Sequence, residues 1–366
     1  MANKADIFRV VKTPILFVSY LESDYSRSSV YLNNKESKNF EYKFIKISTN
    51  FKDICAAFYK IRKNYGRRKS IIVIMSPSHL LTLFARMITG LPIVLDAGWT
   101  LYESTVLRKK MKFRLTKIIK SYLIDFISFH SADLVFVESI PQSNFTSRLL
   151  LLNKRKMKVL FTGFNENALQ EEVGNPHNEF ITKYDIKLPY VLFRGMYNEE
   201  SGIEAIASAS QYCLDIPINF VFLTSNMPTE IKLSPNSIVI KERASLGEIA
   251  QLYRKSLICI GQVSNSSRLR RTIPHKAFEA GYFGKPYISM RGEGICSLYA
   301  CDKSISIIED NKENELGEAI ENLYKSLDAR KQLEVNIKKE YELLASQKAL
   351  QTKFENYLLK FSGSVS

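Results

Sequence analysis

The sequence predicts an α/β protein of two domains, each a parallel sheet covered by helices on both faces. The chain has 366 residues, about twice the length of an ordinary domain. Short, continuously apolar runs alternate with amphipathic segments, as in strands that are buried on both faces. An acidic and polar segment, residues 171–188, has no strand periodicity and separates two such series. We therefore expect two Rossmann-like domains that face each other across a cleft.

The first half, residues 1–170, is expected to be one of these domains. Its apolar runs predict strands at 14–20, 44–47, 70–75, 92–96, 133–137 and 158–161. Residues 54–63, 79–89 and 113–129 have the spacing of helices. Ligands of such open sheets bind beyond the carboxyl ends of the strands, so this edge is where functional residues are sought.

The second half, residues 189–340, repeats the same order of elements. Strands are predicted at 189–193, 218–223, 237–240, 256–261, 286–290 and 304–308. Helices are predicted at 201–212, 246–255 and 274–283, and they fill most of 312–360. The linker at 171–188 contains glycine and proline, as linkers between domains commonly do.

The charge of the chain favours an anionic partner. The net charge is +15 and the isoelectric point is near 9.4. Nucleic acid, anionic lipid and phosphorylated small molecules all fit such an excess. No helix-turn-helix, RNA-recognition or zinc-finger motif is apparent, so we do not expect a nucleic-acid partner.

The cysteines and the apolar runs favour a cytoplasmic location. The five scattered cysteines include no C-x-x-C pair, which argues against a zinc site and against a disulfide framework. No signal peptide is apparent, and no run approaches the roughly 18 apolar residues that span a bilayer.

Residues 268–290 carry the most chemical information. Pro274 suits the first turn of a helix, Gly284 suits its end, and Pro286 prevents its continuation. Lys276 and Glu279 are three apart and share a face of this helix. Arg268, Arg270, Arg271 and His275 gather at its start. Helix N–H groups and arginines together predict a diphosphate site, with a carboxylate one turn inside for a ribose diol. The alternative is a surface helix with an ordinary Lys276–Glu279 ion pair.

The run P-x-K-x-x-E-x-x-x-x-G-K-P, residues 274–286, resembles the donor-site motif of GT-B glycosyltransferases, close to glycosyltransferase family 4. Residues 191–209 and 245–261 resemble the same family's donor domain. The resemblance implies that Glu279 holds the nucleotide ribose and that the helix start faces the diphosphate. Gly195 and Lys276, in the matching segments, are further donor-binding candidates, and the positively charged Arg194 and Arg271 are added to them by their position beside these segments. The resemblance also implies retaining sugar transfer and a C-terminal helix, 341–366, that packs back on the first domain. No metal or cofactor is expected, because no D-x-D run stands at the end of a strand.

The chain departs from this family pattern at three places. Arg271 stands where the family often has the first glutamate of an E-x7-E arrangement. Met196 follows Gly195 where arginine is common, and Ser201 replaces a lysine. Arg194 or the arginines at 268–271 are candidates to replace the lost positive charge. A catalytically inactive, membrane-associated partner subunit and a nucleotide-sugar epimerase are therefore alternatives to a transferase.

Acceptor-side candidates follow the strands of the first half. Asp96 ends a buried strand and is placed to orient or deprotonate an acceptor hydroxyl; the alternative is that it caps a loop. Glu103 is a second candidate on the same loop, and Arg27 is placed to bind an acceptor phosphate. His79 is expected to be a cap or a core neighbour; the alternative is that it reaches the cleft.

A basic segment in the first half predicts contact with a membrane surface. Residues 108–120 contain seven Lys or Arg among thirteen residues and run into an apolar helix. Such helices bind anionic bilayers. The expected acceptor is therefore lipid-linked or a glycan, and the expected location is peripheral, on the inner face of the cell membrane. The alternative is a solvated helix whose apolar side packs on the sheet.

Overall fold

The computed structural model describes residues 12–23, 26–32, 37–67, 69–107, 115–167, 169, 179–198, 200–309 and 313–365. The strands are β1 Thr13–Ser19, β2 Phe40–Lys46, β3 Ile71–Met75, β4 Ile93–Gly98, β5 Leu134–Val137, β6 Met157–Val159, β7 Tyr190–Arg194, β8 Asn219–Leu223, β9 Ser237–Ile240, β10 Ile258–Ile260, β11 Tyr287–Met290 and β12 Ser306–Ile308. The α-helices are α1 Ser26–Leu32, α2 Phe51–Tyr65, α3 Leu81–Thr89, α4 Leu115–Ser131, α5 Ile140–Leu149, α6 Glu179–Lys183, α7 Ile203–Tyr212, α8 Leu246–Lys255, α9 His275–Phe283, α10 Glu293–Cys296, α11 Glu313–Lys325, α12 Leu327–Leu344 and α13 Gln347–Val365. A short π-helix spans Glu103–Leu107.

The strands form two six-stranded parallel sheets. The first has the order β2-β1-β3-β4-β5-β6 and the second the order β12-β11-β10-β7-β8-β9. The strand order of the first sheet reverses between β1 and β3, and that of the second reverses between β7 and β10. Crevices open at the carboxyl ends of strands where the order reverses. The prediction of two Rossmann-like domains is confirmed.

Local sequence explains how the second domain's helices begin and end. Ser245 caps α8 in a reciprocal capping box with Glu248. Pro274 is the N-cap of α9, and Gly284 ends that helix in the left-handed conformation at φ 61°. The end of α9 therefore follows from glycine's freedom at positive φ, as the sequence predicted.

The last helix of the chain packs on the first domain. Phe354 of α13 stacks on Tyr31 at 4.8 Å between ring centroids and on Phe17 at 5.8 Å. The chain thus passes between the domains twice, once between β6 and β7 and once between α12 and α13. These two passages are hydrogen-bonded to each other. Glu166 accepts from the Tyr341 hydroxyl at 2.6 Å and from the Gln347 backbone N–H at 2.8 Å.

Several features were not predicted from the sequence. Helices α1 and α5 were missed, and β2 begins four residues earlier than expected. Cys296 and Cys301 form a disulfide, against the expectation drawn from the odd and scattered cysteines. Residues 108–114 of the basic segment and residues 171–178 of the linker lie outside the described residues. Within the described part of the chain, none of the helices has the length and hydropathy that a bilayer-spanning helix needs.

Candidate active site

A cleft of about 1040 Å³ opens at the carboxyl edge of the second sheet. It lies where β7 and β10 diverge, the place at which the strand order reverses. Its walls are the loops that follow β7, β8 and β9, the start of α8, Gln262 in the loop after β10, and the start of α9. These wall residues are 194–196, 198, 223–225, 241–246, 249, 262 and 274–276.

Positive charge dominates the wall of this cleft. Arg194, Lys241, Arg243 and Lys276 line it, with Glu242 as the single carboxylate among the described lining residues. Glu242 is paired with Lys183 outside the cleft. The positive end of the α9 dipole adds to this charge. The cleft is therefore suited to an anionic ligand.

Glu279 lies beneath the cleft in a network of donors. Arg194 Nη1 lies 2.6 Å from one carboxylate oxygen of Glu279 and 2.8 Å from the other. The Tyr253 hydroxyl donates at 2.6 Å, and His275 Nδ1 lies 3.3 Å away. Burial alone would raise the pKa of Glu279, but the Arg194 charge and the hydrogen bonds outweigh it and lower the pKa to about 2. Glu279 is therefore ionised at every physiological pH.

Lys276 lies at the N-terminus of α9 and is buried against Gly195. Its Nζ lies 4.4 Å from the centroid of the Phe193 ring. Gly195 has φ +153°, and a Cβ added there would lie 2.6 Å from Lys276 Cε. Burial and the charge of Arg194 lower the pKa of Lys276 to about 7. A bound anion would be a direct means of stabilising its charged form.

The alternative of a surface helix with a Lys276–Glu279 ion pair is wrong. Both side chains are buried, and Glu279 is held by Arg194 rather than by Lys276. Among the described residues no carboxylate lies within ion-pair distance of Lys276. Predicted donor-site residues Arg194, Gly195 and Lys276 line the cleft, and Glu279 supports Arg194 from below.

Arg271 is placed elsewhere, at the contact between the two domains. Its Nη2 donates to Glu103 of the first domain at 3.1 Å, and its guanidinium lies 4.0 Å from the centroid of the Phe145 ring. The Ser139 hydroxyl donates to the Arg271 carbonyl at 2.5 Å. Arg271 is not part of the cleft wall described above. Its predicted role in donor binding remains a prediction.

Arg268 forms a second contact across the domains. It pairs with Glu200 at 2.9 Å within its own domain, and its guanidinium lies 5.6 Å from the centroid of the Trp99 ring in the first domain. The segment 268–271, which leads into α9, thus touches the loops that follow β4 and β5.

Asp96 and Arg27 form a buried ion pair at the carboxyl edge of the first sheet. Arg27 Nε and Nη2 each lie 2.7 Å from Asp96 Oδ1, and Arg27 also donates to Thr162 Oγ1 at 3.0 Å. Burial raises the pKa of Asp96, while the Arg27 charge opposes the increase. Asp96 Oδ2 has no partner among the described residues. The cap alternative for Asp96 receives no support, since the carboxylate pairs with a side chain.

Glu138, which the sequence analysis missed, follows β5 beside this pair. One of its carboxylate oxygens accepts from Thr162 at 3.2 Å, and the other has no partner among the described residues. Burial raises the pKa of Glu138 to about 7 against the charges of Arg268 and Arg27. Its position directly after a buried strand was the feature of the sequence that could have identified Glu138 as a candidate.

The other first-domain candidates are held by polar contacts. Glu103 is buried and accepts from Thr100 and Gln142 as well as from Arg271. His79 is buried, with Nδ1 3.1 Å from Asp125, whose other contacts are with the backbone N–H groups of residues 101 and 102. His79 is therefore a core neighbour in this structure.

Within the described ranges, no group of three or more His, Cys, Asp or Glu side chains is arranged to hold a metal ion. The expectation of a reaction without metal or cofactor remains a prediction.

Comparison with solved structures identifies the fold. Anabaena HepE in complex with UDP and glucose superposes with a TM-score of 0.70 at 12% identity, over 95% of this chain and 100% of that chain. Sucrose-phosphate synthase from Thermosynechococcus elongatus gives 0.70 at 13% identity, over 96% and 100%. A glycosyltransferase from Rickettsia africae gives 0.68 at 14% identity, over 97% and 98%. No protein-family model matches the chain, and no curated protein matches its sequence.

These likenesses, at low identity, establish the fold of the chain and nothing narrower. The predicted GT-B architecture, with two Rossmann-like domains and a cleft, is confirmed. The roles of individual residues rest on the geometry given above.

Proposed function

We propose that this chain is a glycosyltransferase that takes a sugar from a nucleotide-sugar donor bound in the cleft of the second domain. The observation that carries the proposal is the arrangement at the start of α9. There Lys276 lies on the cleft wall with no carboxylate partner among the described residues, beside Arg194 and the positive end of the helix. A nucleoside diphosphate carries the negative charge that would pair with Lys276 at this end of the helix.

The same groups would assist departure of the diphosphate. The bond between the sugar and the diphosphate breaks as negative charge develops on the leaving oxygen. Fixed positive charge and helix N–H groups stabilise that charge most where water is excluded. Lys276, Arg194 and the N-terminus of α9 line the cleft and are the groups proposed to do so. Sugar transfer without metal, and with retention at the anomeric carbon, is part of this proposal.

Glu279 would act on the donor in two ways: it positions Arg194, and its carboxylate oxygens can accept further hydrogen bonds from the donor. The carboxylate already accepts hydrogen bonds from Arg194 and from the Tyr253 hydroxyl. Arg194 is thereby fixed at the cleft wall, ready for a phosphate or ribose oxygen. The likeness to HepE, whose structure contains UDP and glucose, supports a sugar nucleotide as the ligand.

The acceptor is proposed to enter between the domains, near the carboxyl edge of the first sheet. Asp96, Arg27 and Glu103 lie there but are buried and paired. Their contact with an acceptor requires that the domain contacts of Arg268 and Arg271 loosen. A lipid-linked or glycan acceptor remains the proposed class.

The first experiment is calorimetric titration of UDP, GDP and their sugar conjugates, with and without EDTA. We expect one nucleotide to bind saturably and independently of EDTA. Lys276→Met should weaken its binding about tenfold to a hundredfold, the worth of one charge-assisted hydrogen bond. Lys255→Met, at an exposed lysine on α8, is the matched control and should bind as the wild type does.

The pH dependence of binding gives a second readout. Because the pKa of Lys276 is about 7 in the free protein, its charged form is depleted as the pH rises above 7. Nucleotide affinity should therefore fall from pH 7 to pH 9 in the wild type and change less in Lys276→Met. Absence of nucleotide binding by the folded wild type would remove the transferase proposal.

Turnover separates the alternatives. Binding with consumption of the donor only when a glycan or lipid acceptor is present supports a transferase. Conversion of the donor without acceptor indicates an epimerase, and binding without conversion of any sugar nucleotide indicates an inactive partner subunit. The departures at Arg271, Met196 and Ser201 are the reason for testing the last case.

A further inference from the structure

Helix α4 of the first domain differs from an ordinary surface helix because it carries aliphatic side chains on its exposed face. Its buried side chains are Ser121, Asp125, Ser128 and Phe129, of which three are polar. A row of aliphatic side chains faces outward at a spacing of four residues. The members are Leu115, Ile119, Leu123 and Ile127, with exposed fractions of 67%, 48%, 48% and 37%. We call these four residues the α4 stripe.

The polar inner face has a structural cause. Asp125 accepts from the backbone N–H groups of Leu101 and Tyr102 and contacts His79, so it fixes the start of the neighbouring loop helix. Ser121 donates to Thr105 of the same segment at 3.3 Å. Hydrogen bonds hold this side of α4 together with aromatic packing, because Phe129 lies in the core and Tyr122 and Phe126 pack against it. The aliphatic side chains are left outside, where they contribute nothing to this domain's core.

A row of apolar side chains in water indicates a binding surface, since isolated surface apolar residues need no explanation but aligned ones do. Met87 of the adjacent α3 is also exposed, at 73%. Among the described residues no element covers the α4 stripe.

The charge around the stripe favours one kind of partner. Lys117 and Lys120 are exposed on α4, and the helix's single acidic residue, Asp125, is buried. By sequence, five of the seven residues that precede α4, 108–114, are Lys or Arg. An acidic surface that also accepts aliphatic side chains is complementary to this face, and an anionic bilayer is such a surface.

We propose that the α4 stripe and its lysines form a docking surface for an anionic lipid bilayer. The stripe enters the boundary between headgroups and acyl chains, while Lys117 and Lys120 remain at the level of the phosphates. This goes beyond the proposed transfer reaction and does not depend on it, because bilayer binding needs no donor. It also differs from the packed-helix alternative, since the structure places the aliphatic residues outside.

The test is cosedimentation of the full chain with vesicles of phosphatidylcholine alone and with vesicles containing an equal part of phosphatidylglycerol. The wild type should bind the anionic vesicles, and salt at about 1 M, where the Debye length is about 3 Å, should release part of it. The double variant Ile119→Asn, Leu123→Asn should bind at least tenfold more weakly.

The matched control is Val335→Asn, Leu343→Asn. These two aliphatic residues of α12 are exposed by 66% and 70%, so the substitutions make the same chemical change on a helix of the other domain. The control should bind as the wild type does, and circular dichroism should show both variants folded. Equal loss in both variants would overturn the proposal.

Two further outcomes would also overturn it. One is a wild type that does not bind the anionic vesicles. The other concerns the oligomeric state without lipid, measured by light scattering. If the wild type is a dimer and the stripe variant is a monomer, the stripe is a contact between copies of this chain. Nucleotide titration on the same samples shows whether the donor site is intact, so failure of this proposal is distinguished from failure of the proposed function.

Discussion

Replacement of Glu279 by glutamine tests the network beneath the cleft. Glutamine keeps the size of the side chain and an oxygen that accepts from Tyr253, but it removes the negative charge opposite Arg194. Arg194 donates to both oxygens of Glu279, at 2.6 and 2.8 Å. The variant therefore leaves a largely buried guanidinium without its counter-ion.

The magnitude follows from the pKa of Glu279. Its pKa is about 2 in the folded protein, against an ordinary value of 4.5. A pKa difference of one corresponds to about 1.4 kcal/mol, so the ionised carboxylate stabilises the folded state by about 3 kcal/mol at neutral pH. Because the folded pKa is the lower one, this contribution is complete above pH 4.5 and is lost as the pH falls towards 2.

The assay is urea unfolding followed by circular dichroism at pH 7 and pH 3. Glu279→Gln should be about 3 kcal/mol less stable than the wild type at pH 7, and the difference should fall to less than half at pH 3. Glu321→Gln removes a carboxylate that pairs with Lys325 on an exposed helix face. It should change stability by no more than about 0.5 kcal/mol.

Two results would refute this reasoning. If Glu279→Gln matched the wild type at pH 7, the carboxylate would not be stabilised by Arg194 as its geometry indicates. If the loss were equally large at both pH values, it would come from packing rather than from charge.

Two further predictions concern neighbouring contacts. Gly195→Ala should lower nucleotide affinity at least about tenfold, because the added Cβ would lie 2.6 Å from Lys276 Cε and displace that lysine. Calorimetric titration measures the affinity. An unchanged affinity would show that Lys276 does not hold the ligand. Arg27→Met should destabilise the protein by about 3–5 kcal/mol, because it leaves the buried Asp96 carboxylate uncompensated. Arg27→Met combined with Asp96→Leu should recover much of that loss in urea unfolding, and a double variant no more stable than the single one would contradict the ion-pair account.

Much of the fold was predictable because its signals are local. Strands buried on both faces give unbroken apolar runs, as at β3 and β7, and proline and glycine mark both ends of α9. Lys276 and Gly195 could be assigned to one site, since residues that follow β7 and start α9 meet at the carboxyl edge of a parallel sheet.

What escaped prediction depends on contacts between distant residues. The partner of Glu279 is Arg194, 85 residues earlier in the chain, and nothing local indicates that pairing. Helix α5 was missed because its buried side chains include Gln142, Thr146 and Ser147, so it lacks an apolar stripe. For α4 the helix was predicted, but periodicity alone cannot show that its aliphatic side faces solvent.

The hydrogen bonds at Glu166 have a consequence for motion. They join the two passages between the domains at one place, so we expect any relative rotation of the domains to pivot there. The contacts of Arg271 with Glu103 and of Arg268 with Trp99 would have to break in such a rotation. Because residues 268–271 lead directly into α9, we expect the rotation also to affect the segment that carries Lys276.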